Sequence, residues 1–142
     1  MRPEHFPGSM ALDGRLPWVF GFLSLVGLPF LSLLAPGIAM IIAGLLQGRK
    51  NAVAARTGRR AAIFGAVNVL VVIVYLAVLF FASMDGPVSP AEAPLLIYGF
   101  AIPVAVYLVA VGPILNVVMA ILGLARPLSQ DKARRILEQA QR

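Results

Sequence analysis

Apolar and polar residues along this chain are segregated into long blocks. From Leu16 to Leu46, from Ala61 to Met84 and from Ala93 to Ala125 no charged residue occurs, and these runs hold 31, 24 and 33 residues. About 20 apolar residues cross a hydrocarbon core as a helix, so each run predicts a membrane span. The fold class expected is all-α and integral to the membrane. It is a bundle of three main transmembrane segments, the first and third kinked or broken at proline and glycine so that four crossings are possible, followed by a short C-terminal amphipathic helix. The chain divides into a polar N-terminal segment over 1–15, a transmembrane domain over 16–126 and a tail over 127–142.

The first run sets the hardest question. As one helix it would measure about 46 Å against a core of about 30 Å. It also holds Pro29 and Pro36, with Gly27 and Gly37 close by. Proline removes a helical hydrogen bond and clashes with the preceding turn, which predicts a break near "GLPFLSLLAPG". The break is read as a kink in a single crossing, because unpaired backbone at mid-membrane needs protein or water around it. That puts the N-terminus outside and gathers Trp18, Phe80, Phe81 and Tyr98 in the outer aromatic belt. A re-entrant hairpin, with the N-terminus inside, is the alternative. Pro103 and the Gly112–Pro113 pair pose the same choice in the third run. The first run is also too long for a cleaved signal peptide, and its mixed-charge, proline-containing flank is wrong for one.

Charge orients the spans. "GRKNAVAARTGRR" carries Arg49, Lys50, Arg56, Arg59 and Arg60 and no acid, whereas "DGPVSPAEAP" carries only Asp85 and Glu92. Basic short loops stay cytoplasmic. Loop 47–60 and the C-terminus are therefore expected inside the cell (inner, cytoplasmic) membrane and loop 85–93 outside. Gly58 is read as interrupting any helix in the basic loop before Arg59 and Arg60. Were the loop helical, Arg49, Arg56 and Arg60 would share a face toward anionic head groups. In the tail "LSQDKARRILEQAQR", Ser129 is the expected N-cap. Asp131–Arg135, Arg134–Glu138 and Glu138–Arg142 are expected i,i+4 pairs, and Ala133, Ile136, Leu137 and Ala140 form an apolar stripe that can rest on the bilayer or a partner.

Composition adds that 60% hydrophobic and 13% charged residues leave too little polar surface for a soluble globule of 142 residues. The chain has no cysteine, so neither disulfides nor thiolate metal sites arise. No ionisable Asp, Glu, Lys, Arg or His lies in any run. A proton relay or charged transport site therefore has no candidate residue. His5, alone near the N-terminus, lacks converging partners for a metal or for catalysis. The expectation is a protein that is no enzyme and takes no cofactor. The basic loop lacks the interleaved aromatics of a nucleic-acid site.

Within the runs the polar side chains are Asn68 and Asn116, with Ser24, Ser32, Tyr75 and Tyr107. Both asparagines fall about 12–15 Å from the basic end by helical rise, close enough in depth to meet. An interhelical amide bond worth about 0.6–2 kcal/mol is the plain reading, and a substrate-facing pair the sharper one. Ala39 and Ala43, Gly44 and Gly48, and Ala61 and Gly65 repeat at four-residue spacing, which favours close helix approach. The expected packing residues are Gly44, Gly65, Asn68, Gly112 and Asn116. Lipid or partner contact is assigned to Arg49, Lys50, Arg56, Arg59, Arg60, Arg134 and Arg135.

The order "LLAPGIAMIIAGLLQGRKN", "RTGRRAAIFGAVNVLVVIVY", "GPILNVVMAILGLARPLS" resembles the small bacterial membrane proteins of the DUF4870 family, also described as Tic20-like. Pro36, Asn68 and the run from Asn116 to Arg126 carry the resemblance, over roughly Gly27 to Leu128. The family's histidine before the second helix is absent here, and Asn68 follows Phe64 by four residues. "TGRRAAIFGAV" is also similar to the two-helix DUF4190 family, which leaves the third run unexplained. The resemblance implies a multi-pass helical fold and, through chloroplast Tic20, a translocation role. Two functions follow. One is an accessory or assembly subunit that meets lipid head groups and other membrane subunits or its own copies. The other is a channel or translocation component for solute or polypeptide.

Overall fold

The computed structural model describes residues 2–28, 30–84 and 97–141, except the side chains at 83 and 97. The acidic loop 85–93, Pro29 and the expected Glu138–Arg142 pair lie outside the described residues. A single turn, α1 (Met10–Asp13), precedes a 3₁₀ helix over Leu16–Val26, then α2 (Leu31–Gly48) and α3 (Ala52–Met84). The third span runs as a π turn over Ile97–Ala101, α4 (Ile102–Val106), a second π turn over Tyr107–Val111 and α5 (Gly112–Ala125); α6 (Gln130–Ala140) forms the tail. Three helices are long and apolar enough to cross a membrane, at Leu31–Gly48, Ala52–Ala82 and Tyr98–Ala125.

The first run is not a kinked crossing. It is a hairpin whose 3₁₀ arm descends from the basic end and whose second arm, α2, returns to it. Two contacts fix this. Arg15, just before the 3₁₀ arm, donates from Nη1 to the Leu124 carbonyl at the basic end of α5 (2.8 Å). At the other end of the hairpin Phe30 packs on Tyr75, ring centroids 6.0 Å apart, and Tyr75 on Phe100 at 6.1 Å. Fifteen residues of α3 separate Arg60 from Tyr75, which puts the apex about 22 Å along α3 from Arg60. Gly27 supplies a left-handed φ of 72° at the turn, and Phe30 takes φ 65°, a strained conformation for a side-chain-bearing residue that the ring contact holds. At this turn the Leu28 carbonyl accepts from Ser32 N–H and the Phe30 carbonyl from Leu33 and Leu34 N–H. Trp18 consequently sits at the basic end, buried beside Phe64 and Gly123, far from Phe80, Phe81 and Tyr98.

Helices α2 and α3 pack antiparallel along stripes that alternate four- and three-residue steps. On α3 the stripe is Ala54, Gly58, Ala61, Gly65, Asn68, Val72 and Tyr75, all buried; on α2 it is Leu33, Gly37, Met40, Gly44 and Gln47, also buried. This is the 3.5-residue period of left-handed helix pairs. Glycine pairs bring the backbones together. A Cβ on Gly58 would lie 2.6 Å from the Gly44 carbonyl oxygen, and one on Gly37 2.9 Å from the Gly65 carbonyl oxygen. Gly58 therefore does not interrupt the helix: α3 is continuous through it, and the missing side chain serves close approach. The four-residue pairing of Gly44 with Gly48 is likewise not the contact rule, because Gly48 has its nearest such neighbour, Ala55 Cα, at an ordinary 3.7 Å.

The third apolar run is one continuous helical rod from Tyr98 to Ala125, long and apolar enough for a single crossing. Its two π turns lie just before Pro103 and the Gly112–Pro113 step. There the proline ring, lacking an N–H and crowding the carbonyl four residues back, loosens the preceding turn instead of breaking the helix.

The tail folds back on the chain. Ala133 is buried with Phe6 and Val53, and Leu12, Leu128, Ile136 and Leu137 surround them, so most of the apolar stripe is consumed internally; Ala140 is exposed. Arg134 and Glu138 pair at 3.0 Å. Asp131 and Arg135 do not pair among the described residues. Ser129 occupies the N-cap position through its backbone, its carbonyl accepting from Ala133 N–H, with no side-chain cap bond. Ala133 belongs to the Phe6 cluster, and that docking sets the tail's place.

Candidate functional site

Two features of the bundle gather polar groups. The first lies within the spans. Trp18, Gly21 and Ser24 recur every third residue, so on a 3₁₀ helix they stand in one row. That row faces α5 in antiparallel order. A Cβ on Gly123 would strike the Trp18 ring, one on Gly21 would lie 2.8 Å from both Ala120 Cβ and the Asn116 carbonyl oxygen, and Ser24 meets the Asn116 side chain. Asn116 Nδ2 donates to Ser24 Oγ at 2.8 Å, and Asn68 Nδ2 donates to Asn116 Oδ1 at 2.6 Å. The Tyr107 hydroxyl reaches Asn68 Oδ1 at 3.4 Å. Ser24, Asn68 and Asn116 are each at most 2% exposed. One hydroxyl and two amides thus bind the hairpin, α3 and the third span at a single level, with Tyr107 beside them. Gly112 adds a close approach of α5 to Leu33 of α2. The pairing of Asn68 with Asn116 was legible from their depths; the part of Ser24 was not, because an α-helical count puts it on another face from Trp18.

The second feature is the basic end. Asp13 is fully buried and both its oxygens are used: Oδ1 accepts from Gly8 N–H at 3.1 Å, Oδ2 from Arg15 Nη2 at 2.9 Å. Arg15 then caps the third span through the Leu124 carbonyl, placing a cation at a helix C-terminus where the dipole favours it. In the sequence both residues lie in the polar segment 1–15, with nothing local to mark their pairing. Asn51 holds the other junction, donating to the Leu12 carbonyl at 3.0 Å and accepting from Ala54 N–H at 2.7 Å at the start of α3.

Beside this junction lie two adjoining grooves. One, of about 380 Å³, runs between α3 and α6 and is lined by Arg56, Arg60, Lys132 and Arg135, with no acid. The other, of about 590 Å³, is lined by apolar residues of α3 and α5 together with Trp18, Asp13, Arg15 and Arg126; the two share Thr57, Arg60 and Leu128. Of the residues assigned to lipid or partner contact, the structure brings Arg56, Arg60 and Arg135 together. It leaves Arg49 and Lys50 exposed on the α2–α3 turn, sets Arg59 in a separate shallow depression with Arg56 and Arg60, and pairs Arg134 with Glu138. Lys132 reaches α3 only through the fold-back of the tail, and Arg126, at the end of α5, lines the second groove; neither position is marked in the sequence. No group of three metal-binding side chains occurs among the described residues.

Compared with protein families, curated proteins and solved structures, the chain matches none.

Proposed function

We propose that this chain is a non-catalytic accessory or assembly subunit of a larger complex in the bacterial inner membrane, acting by helix packing and by contact with lipid. The observation that carries this reading is an asymmetry between inside and outside. Midway along the spans the polar side chains of Ser24, Asn116, Asn68 and Tyr107 are spent on one another, and the buried Gln47 amide, near the basic end of α2, has no such partner among the described residues. The outer faces of the two long spans are left uncovered: only 17% and 22% of their most apolar windows are buried by the chain itself. Such faces suit lipid, a partner's helices or a second copy. In this reading the basic end, with the N-terminus, the α2–α3 turn, the first turns of α3 and the tail, faces the cytoplasm and its anionic leaflet. The DUF4870 (Tic20-like) resemblance belongs to the same proposal, and two of its positions, Asn68 and Asn116, are the bonded amides.

A second reading, a channel or translocation component, is favoured by the hairpin itself, since segments that enter and leave on one side often line transport paths. Co-purification from native membranes with larger subunits at fixed stoichiometry is the expected result. Ion or solute flux through liposomes holding the purified protein alone would sink the accessory reading.

A further inference from the structure

The two grooves at the basic end have an order of chemistry that neither shows alone. Arg56 and Arg60 lie four residues apart on α3, and Lys132 and Arg135 three apart on α6, so each pair shares a helix face and the two faces look into one groove. None of these four, nor Arg126, is ion-paired among the described residues. The one acid lining the adjoining groove, Asp13, already has both oxygens occupied. From Arg60 the second groove descends past Ile63 and Val67 on α3, against Met119 and Leu122 on α5. That is about 10 Å of apolar trough along the helix axis, starting where the charged residues end.

We propose that this is a binding site for an anionic glycerophospholipid. The head-group phosphate lies among Arg56, Arg60, Lys132 and Arg135, and one acyl chain lies along Ile63, Val67, Met119 and Leu122. Guanidinium pairs match phosphate oxygens in bidentate fashion, and four unpaired cations in one groove favour an anion over a zwitterion. An acidic peptide would leave the trough empty, and so would a soluble phosphate ester. Bound there, the lipid bridges α6 to α3 and fastens the tail to the membrane domain. The proposal rests on the reading that the basic end meets anionic head groups.

Trp18 is the only tryptophan of the chain and lines the apolar groove, so it reports the site directly. The protein is reconstituted in phosphatidylcholine vesicles, and Trp18 emission is followed as phosphatidylglycerol with brominated acyl chains replaces the host lipid. Brominated phosphatidylglycerol is expected to quench at a far lower mole fraction than brominated phosphatidylcholine. Arg60→Gln with Arg135→Gln should weaken that preference roughly 30-fold, the effect of two interfacial cations together. Arg60→Lys with Arg135→Lys should restore most of it. Arg49→Gln with Lys50→Gln, on the turn outside both grooves, should change it less than twofold. Equal losses in the two glutamine doubles overturn the site while leaving general head-group attraction standing. Equal quenching by the two brominated lipids in the unaltered protein overturns both. Loss of the preference on adding millimolar glycerol phosphate shows a free phosphate ester as the occupant and overturns the lipid assignment.

Discussion

The 3₁₀ arm over Leu16–Val26 and helix α2 over Leu31–Gly48 reach similar depths, about 22 and 27 Å by their respective rises, yet they are fastened to their neighbours by different means. The 3₁₀ arm is held by polar and aromatic groups: Arg15 on the Leu124 carbonyl, Trp18 over Gly123, Ser24 on Asn116. Helix α2 is held by the absence of side chains, with Gly37 on Gly65 and Gly44 on Gly58. In lipid there is no hydrophobic drive to press helices together, so the remaining devices are hydrogen bonds and close dispersion contact. The hairpin uses one on each side. A polar fastening fails when a partner is lost, and a glycine fastening fails when anything is added.

The largest effect is expected at the root of the polar arm. Asp13→Ala leaves Arg15 largely buried without its carboxylate, and breaking such a pair costs about 3–5 kcal/mol. Unfolding in mixed detergent micelles should register the full loss, and an effect below about 1 kcal/mol would show that the junction is not an anchor. Next comes the glycine arm. A methyl at Gly44 meets the Gly58 carbonyl and Ala62, backbone and Cβ atoms that cannot swing aside, so Gly44→Ala should cost about 2–3 kcal/mol, at the upper end for overpacking.

Asn116→Leu is expected to cost about 2 kcal/mol, since it strands the Asn68 amide and the Ser24 hydroxyl together. Adding Asn68→Leu should recover part of that, as two apolar partners leave no amide unpaired. A strictly additive pair would refute the bond between them. The smallest effect belongs to Gly48→Ala, four residues from Gly44 on the same helix. With only ordinary contact to Ala55 it should stay within about 0.5 kcal/mol of the parent or stabilise it slightly. Should Gly44 and Gly48 respond alike, the distinction between the two positions fails.

What the sequence disclosed, and what it hid, follow the same division. Three apolar runs announced the spans, and depth alone brought Asn68 and Asn116 to one level. The glycine interface was half visible: counting in fours picked out Gly44 and Gly65 but missed Gly37 and Gly58, which complete a four-and-three alternation on each helix. In the sequence Gly58 reads as a helix breaker, because glycine serves both purposes and only a facing backbone tells them apart. The hairpin was hidden for a related reason. Leu16–Val26 reads as the start of a long apolar helix at 3.6 residues per turn, and its row of Trp18, Gly21 and Ser24 emerges only at three per turn. The basic groove was scattered between residues 56 and 135, and tertiary folding alone unites it.

Everything at the basic end depends on the first apolar run doubling back, so that the N-terminus, the α2–α3 turn and the tail lie together. The chain's freedom from cysteine makes the test direct. Ser9→Cys, Thr57→Cys, Ser89→Cys and Ser129→Cys are introduced one at a time and treated in sealed cells with a membrane-impermeant thiol reagent. With the hairpin, positions 9, 57 and 129 are expected to behave alike, protected until the membrane is opened, while position 89 is labelled at once. Labelling of position 9 from outside, with position 57 protected, would mean a single kinked crossing and would contradict the hairpin.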